Sequence, residues 1–180
     1  DINNLTTLKF GYYDKPDLGT PIEDILDEYG KAIKGSFRGD RIDLEWGELD
    51  DYDQDEDSFY YRSIREMELA FKKEGDRYYL QNISYSGDYR KAKAAYMPSD
   101  YYDKLKVGDP KTGKGGVSYK EVIGDNAVSS LTVSAGEDIE TDEVITKMRI
   151  RFNSSGSDEY KLTFVKQADG DFLLAKKGAD

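Results

Sequence analysis

The chain reads as an α+β protein made of two tandem units, each a helix followed by about four antiparallel strands. Three observations lead there. A short phrase occurs twice, Leu8-Lys9-Phe10-Gly11 and Leu105-Lys106-Val107-Gly108, 97 positions apart. In each copy a second glycine follows eight positions on, Gly19 and Gly116, and an amphipathic run comes next. Apolar residues then alternate with polar ones at period two, the signature of a half-buried strand. Repetition at a long fixed period means one supersecondary unit used twice.

The elements follow in order. Thr20-Pro21 with Glu23 and Asp24 signals a helix start, with a hydroxyl cap, Pro at the first helical position and acids in the first turn. That helix, Pro21–Tyr29, should stop at Gly30. Ser118 and Gly124 bracket its counterpart at an offset of 94. Ile42, Leu44 and Trp46 alternate with Asp43 and Glu45 as a strand. Met67-Leu69-Phe71, Met148-Ile150-Phe152 and Tyr160-Leu162-Phe164 repeat the pattern. Glu74-Gly75-Asp76 and Asp169-Gly170-Asp171 carry hairpin chemistry. On an offset of 93, Tyr79-Leu80 aligns with Phe172-Leu173.

Between the units, Ser86-Gly87-Asp88 breaks the sheet, and Tyr89–Tyr96 is expected as a short helix stopped by Met97-Pro98. Ser99 then caps Asp100–Leu105. The expected domains are residues 1–88 and 99–180, with 89–98 as linker. Strands behind a small helical layer define the α+β class.

Composition narrows function. A net charge of −11, with 37 acids against 26 bases, argues against nucleic acid, whose binders must offer clustered cations. No apolar run approaches the roughly 20 residues that span a bilayer. Cysteine is absent, so there is neither a disulfide framework nor a thiolate metal site. Histidine is absent too, which removes Ser-His-Asp and Cys-His nucleophile systems. The opening Asp1-Ile2-Asn3, without Met, reads as a processed or trimmed product whose targeting segment is missing, and whether a lipid anchor preceded Asp1 stays open.

An apolar residue, then Leu-Lys-Val/Phe-Gly, then a Thr or Ser opening a helix with Ile or Val in its first turns, resembles the beta-lactamase inhibitor protein-like fold. The segment Leu105–Ile123, with its Gly113-Lys114-Gly115-Gly116, resembles uncharacterised lipoproteins of Gram-positive bacteria with that fold. It is distantly similar to the small envelope lipoproteins of outer-membrane assembly. The resemblance implies a helix-loop-helix unit on an antiparallel sheet, and an extracellular or cell-envelope location. It departs in two ways: eight-residue insertions follow Gly11 and Gly108, and the inhibitors' disulfides are missing. Lactamase inhibition does not carry over, because it lives in loops that have no match here.

Three constellations are weighed. Gly108–Lys114 matches the first seven positions of a phosphate-binding loop, but Gly115 stands where Ser or Thr should bind magnesium, and no parallel strand precedes it. It reads as a glycine-rich connection. Asp51, Asp53, Asp55 and Asp57 are spaced by two as calcium ligands are, without the Gly and Glu of an EF-hand loop, and the plain alternative is a solvated acidic hairpin loop. Tyr60, Tyr61, Tyr78 and Tyr85 lie on expected strands, where one of each adjacent pair must face away from the helices. Such a tyrosine face suits partner binding. The plain alternative is burial of the rings in packing.

The expectation is therefore a non-enzymatic, extracytoplasmic binding module that needs no cofactor. Its partner would be a protein or a cell-wall component. A small enzyme working through paired carboxylates on glycans, and a purely structural envelope protein, remain open.

Overall fold

The computed structural model describes residues 16–49, 63–87, 94 and 96–178. Contacts divide the chain into two compact units, Asp1–Gly87 and Asp88–Asp180. In the first, helix α1 (Ile22–Tyr29) precedes strands β1 (Lys34–Arg38), β2 (Arg41–Leu49), β3 (Ser63–Glu74) and β4 (Arg77–Gly87). Each strand pairs antiparallel with the next. The second unit carries helices α2 (Ser99–Asp103) and α3 (Tyr119–Asp125), then strands β5 (Val128–Glu137), β6 (Val144–Asn153), β7 (Glu159–Lys166) and β8 (Phe172–Lys177). These strands too pair antiparallel in succession.

The α+β class is overturned. Strands hold 52% of the structure and helices only 15%, so this is a predominantly β chain of antiparallel strands, not a tandem of helix-plus-sheet units. Of the expected caps only Ser118 acts as one, accepting from the Lys120 N–H, while α1 and α2 begin after Pro21 and Pro98 with no side-chain cap and the Thr20 hydroxyl donates to the Asp17 carbonyl instead; the helices are also short. Helix α1 has eight residues before Gly30 takes φ 75°, and α3 has seven before Asn126 turns extended. Of the expected Tyr89–Tyr96 helix, Ala94 bridges to Asn126 instead. Met97, placed in the expected linker, is fully buried and donates its N–H to Asn153.

The strands form where alternation demands them. In the first unit Ile42, Leu44 and Trp46 stand opposite Phe71, Leu69 and Met67. Leu69 and Met67 in turn face Ile83 and Tyr85. Helix α1 covers this face: Ile25 is fully buried, the Tyr29 and Trp46 rings lie 6.1 Å apart, and the Trp46 indole donates to the Gly30 carbonyl at 3.2 Å. Two-residue turns at Gly39-Asp40 and Gly75-Asp76 close the hairpins, with each glycine at positive φ.

The second unit builds the same kind of core. Met148, Ile150 and Phe152 face Phe164, Leu162 and Tyr160. Tyr119 of α3 meets Phe164 and Phe172 edge to face at 6.5 and 5.6 Å. Tyr102 of α2 stacks on Tyr160 at 4.2 Å. Burying each large apolar side chain is worth about 1.5–3 kcal/mol, which is what holds such short helices in place.

Backbone details recur between the units. The Gly19 N–H donates to the Leu80 carbonyl and Leu80 N–H to Thr20; Gly108 N–H donates to Leu174 and Leu174 N–H to Val117. A bulge leaves Gln81 unpaired in β4 and Ala175 unpaired in β8. Leu80 therefore corresponds to Leu174, not to Leu173 as the aligned sequence suggests, because the second turn is one residue longer.

Candidate functional site

Each run of paired strands has a face that the helices do not use. In the first unit this face carries Lys34, Arg41 and Lys72 beside Asp43, Glu45 and Glu68, out of phase with the Leu44–Leu69–Ile83 core row, and Arg41 pairs with Asp43 at 3.0 Å. In the second it carries Thr132, Lys147, Arg149, Arg151, Lys161, Thr163 and Lys176, out of phase with Leu131–Ile150–Leu162.

The cationic face is ordered. Ser130, Arg151 and Lys161 make one row across β5, β6 and β7. Thr132, Arg149, Thr163 and Lys176 make the next. All of these but Lys176 border a shallow hollow of about 350 Å³. Arg149 donates to Ser134 Oγ at 3.4 Å, and Arg151 lies 3.9 Å from Glu159 with both side chains well exposed. Thr163 at the centre is only 7% exposed. The concentration is not what composition alone suggests. Residues 1–87 hold 21 acids and 11 bases, whereas residues 88–180 hold 16 and 15.

The sequence did carry a signal for this face. Lys147, Arg149 and Arg151 interleave with Met148, Ile150 and Phe152, so one strand shows apolar residues to one side and cations to the other. The apolar half alone reads as a strand; the basic half marks the surface.

The tyrosine surface is corrected in part. Tyr85 stands in the core opposite Met67, 6% exposed, and presents no contact surface. Tyr78 shares the face of Leu80 rather than pointing away from the helices. It is half-buried, with its ring 6.3 Å from Phe37, itself 65% exposed on β1. Tyr79 is the one turned to the other side, beneath the Arg77 guanidinium at 5.6 Å. The physical reason is the β4 bulge at Gln81, which resets the alternation between Leu80 and Ile83. Tyr60 and Tyr61 lie outside the described residues, as do Asp51, Asp53, Asp55 and Asp57 of the calcium reading. Among the described residues no group of three or more carboxylates is placed to hold a metal.

The glycine-rich segment is a packing device. A Cβ at Gly116 would sit 2.1 Å from the Leu174 carbonyl, and one at Gly113 would meet Leu173 O at 2.5 Å. Strand β8 fills the cradle a phosphate would need. The loop's N–H groups are also engaged: Lys111 and Thr112 donate to the Asp109 carboxylate at 2.9 Å, Gly113 to Asp109 O, and Gly116 to Gly113 O. Hydrogen bonds from Thr112 and then Lys111 hold the Asp109 carboxyl below its usual range, ionised. Tyr101 is pushed well above its usual phenol range, first by burial and then by the hydrogen bond it donates to Asp125 Oδ2 at 2.9 Å.

No protein-family model matches the chain, and no curated protein or solved structure is found to be similar to it. Among the described residues, no helix is long and apolar enough to cross a membrane.

Proposed function

We propose that the chain is a non-enzymatic binding module that grips an acidic protein surface through the cationic strand face of its second unit. The observation that carries this reading is the gathering of Lys147, Arg149, Arg151, Lys161 and Lys176 on one face of a chain whose acids outnumber its bases. Arginine and lysine at strand spacing offer charge-assisted hydrogen bonds to carboxylates, and the guanidinium fork makes them two at a time. An acidic protein patch fits better than an extended polyanion. A long polyanion would run off this face onto a chain of 37 acids. The absence of histidine and cysteine from the sequence supports binding over nucleophilic chemistry. The extracytoplasmic setting belongs to the same reading and rests on the likeness of Leu105–Ile123 to envelope lipoproteins.

Retention of the full chain on immobilised polyglutamate tests the reading. Wild type is expected to bind at low salt and to elute as the Debye length shrinks below about 8 Å. The Arg149→Glu/Arg151→Glu variant should pass through with its thermal midpoint nearly unchanged, as surface changes usually cost within about 0.5 kcal/mol. Equal retention of both proteins would refute the cationic face.

A further inference from the structure

We infer that the hollow in the cationic face is a site for a phosphoryl group carried on a side chain of the acidic partner. This rests on the binding reading above and names the group that the partner presents there.

The floor of the hollow makes the case. Thr163 lies on the open face in one row with Thr132 and Arg149, and it borders the hollow. It is nine-tenths buried, yet its hydroxyl has no hydrogen-bond partner among the described residues. A buried hydroxyl left in that state works against folding, and an acceptor that reaches the floor of the hollow would satisfy it. Around the opening stand Arg149 and Arg151 on β6 and Lys161 on β7. Glu159, 3.9 Å from Arg151, is the one acid that the registers of β5 to β8 place on this face among the described residues. Three cations therefore surround one opening and meet one counter-charge.

These donors exceed what a single carboxylate can accept. A carboxylate brings one negative charge and two oxygens, and two guanidinium forks fill it. A phosphoryl group brings a charge of about −1.5 to −2 at pH 7 and three acceptor oxygens. One oxygen can take the Thr163 hydroxyl at the floor while the others accept N–H groups from the arginines and the ammonium of Lys161. The hollow, about 350 Å³, has room for the group and for the end of the side chain that carries it. Lys147 and Lys176, on the same face but outside the hollow, remain for the carboxylates around it.

The probe is a fluorescent glutamate-rich peptide with one central phosphoserine, compared with the same peptide carrying glutamate at that place. Fluorescence polarisation with the full chain at fixed salt should show the phosphopeptide binding about tenfold tighter, and inorganic phosphate should displace it. Thr163→Val keeps the shape of the side chain and removes the hydroxyl. It should weaken phosphopeptide binding about tenfold without lowering the thermal midpoint, because in the free protein the hydroxyl has no partner to lose. Lys161→Gln, with its midpoint also unchanged, should weaken the same binding. A midpoint lowered by Thr163→Val would show the hydroxyl engaged in the free protein and would overturn the inference. Equal affinity for the two peptides would overturn it as well, and the binding reading would then stand with carboxylates as its ligands. If neither peptide binds, both fall.

Discussion

Tyr101 ties α2 to the end of α3 with one hydrogen bond, its phenol donating to Asp125. Burial and that bond both favour the neutral phenol, so the stabilisation is present below its ordinary value of 10.0 and is lost as pH rises through the raised one. Tyr101→Phe should lower stability by about 1–2 kcal/mol, measured by urea unfolding, because a bond to a charged acceptor is removed and its partner left behind. An unchanged midpoint would mean that water replaces the phenol at no cost. Asp109 works in the opposite sense. Its carboxylate is stabilised by two N–H groups, so the contribution is present above its ordinary value of 3.8 and disappears as pH falls through the depressed one. The Thr112 amide resonance should titrate with an inflection below 3.8. An inflection at or above that value would remove the turn as its cause.

Two glycines separate packing from propensity among the elements. Gly116 lies against β8 with no room for a methyl group, since its Cβ would meet the Leu174 carbonyl at 2.1 Å. Gly124 sits within α3 with nothing within 4 Å of its Cβ position. Gly116→Ala should therefore destabilise, by about 2 kcal/mol or more, while Gly124→Ala should stabilise by about 0.5–1 kcal/mol through helix propensity. Thermal unfolding of the two variants checks the sign of each. A neutral Gly116→Ala would show that the loop from Gly108 to Gly116 can lift from β8. The same pair of elements explains why a phosphate-loop likeness in sequence carries no site: the glycines serve close backbone approach to a strand.

For the chain as a whole, charge is divided rather than spread. Residues 1–87 carry 10 more acids than bases, and residues 88–180 carry one more. A net value of −11 therefore hides a second half that is nearly balanced, with five of its 15 bases on one strand face. Retention on polyglutamate should fall with rising salt, because it draws on exposed cations. Retention indifferent to salt would mean that another surface is responsible.

Strand positions were legible from alternation alone. Ile42-Leu44-Trp46, Met67-Leu69-Phe71, Met148-Ile150-Phe152 and Tyr160-Leu162-Phe164 all lie in paired strands, and the Gly75 turn closes its hairpin. Alternation and turn chemistry are local, so a single sequence contains them. The balance between helix and strand was not legible. Capping residues announce where a helix begins, but its length depends on how much apolar surface the strands leave for it, and α1, α2 and α3 stop at eight, five and seven residues. The open face was half legible. Period two says that Arg149 and Ile150 point apart, yet not which of them meets a helix. Tyr85 was lost for the same reason: a bulge at Gln81 moves it onto the core side, and a bulge is a property of two strands in register. Which residues alternate is written along the chain. Which side is buried is set by docking of the helices and by register between strands, since burial is an interaction between elements distant in sequence.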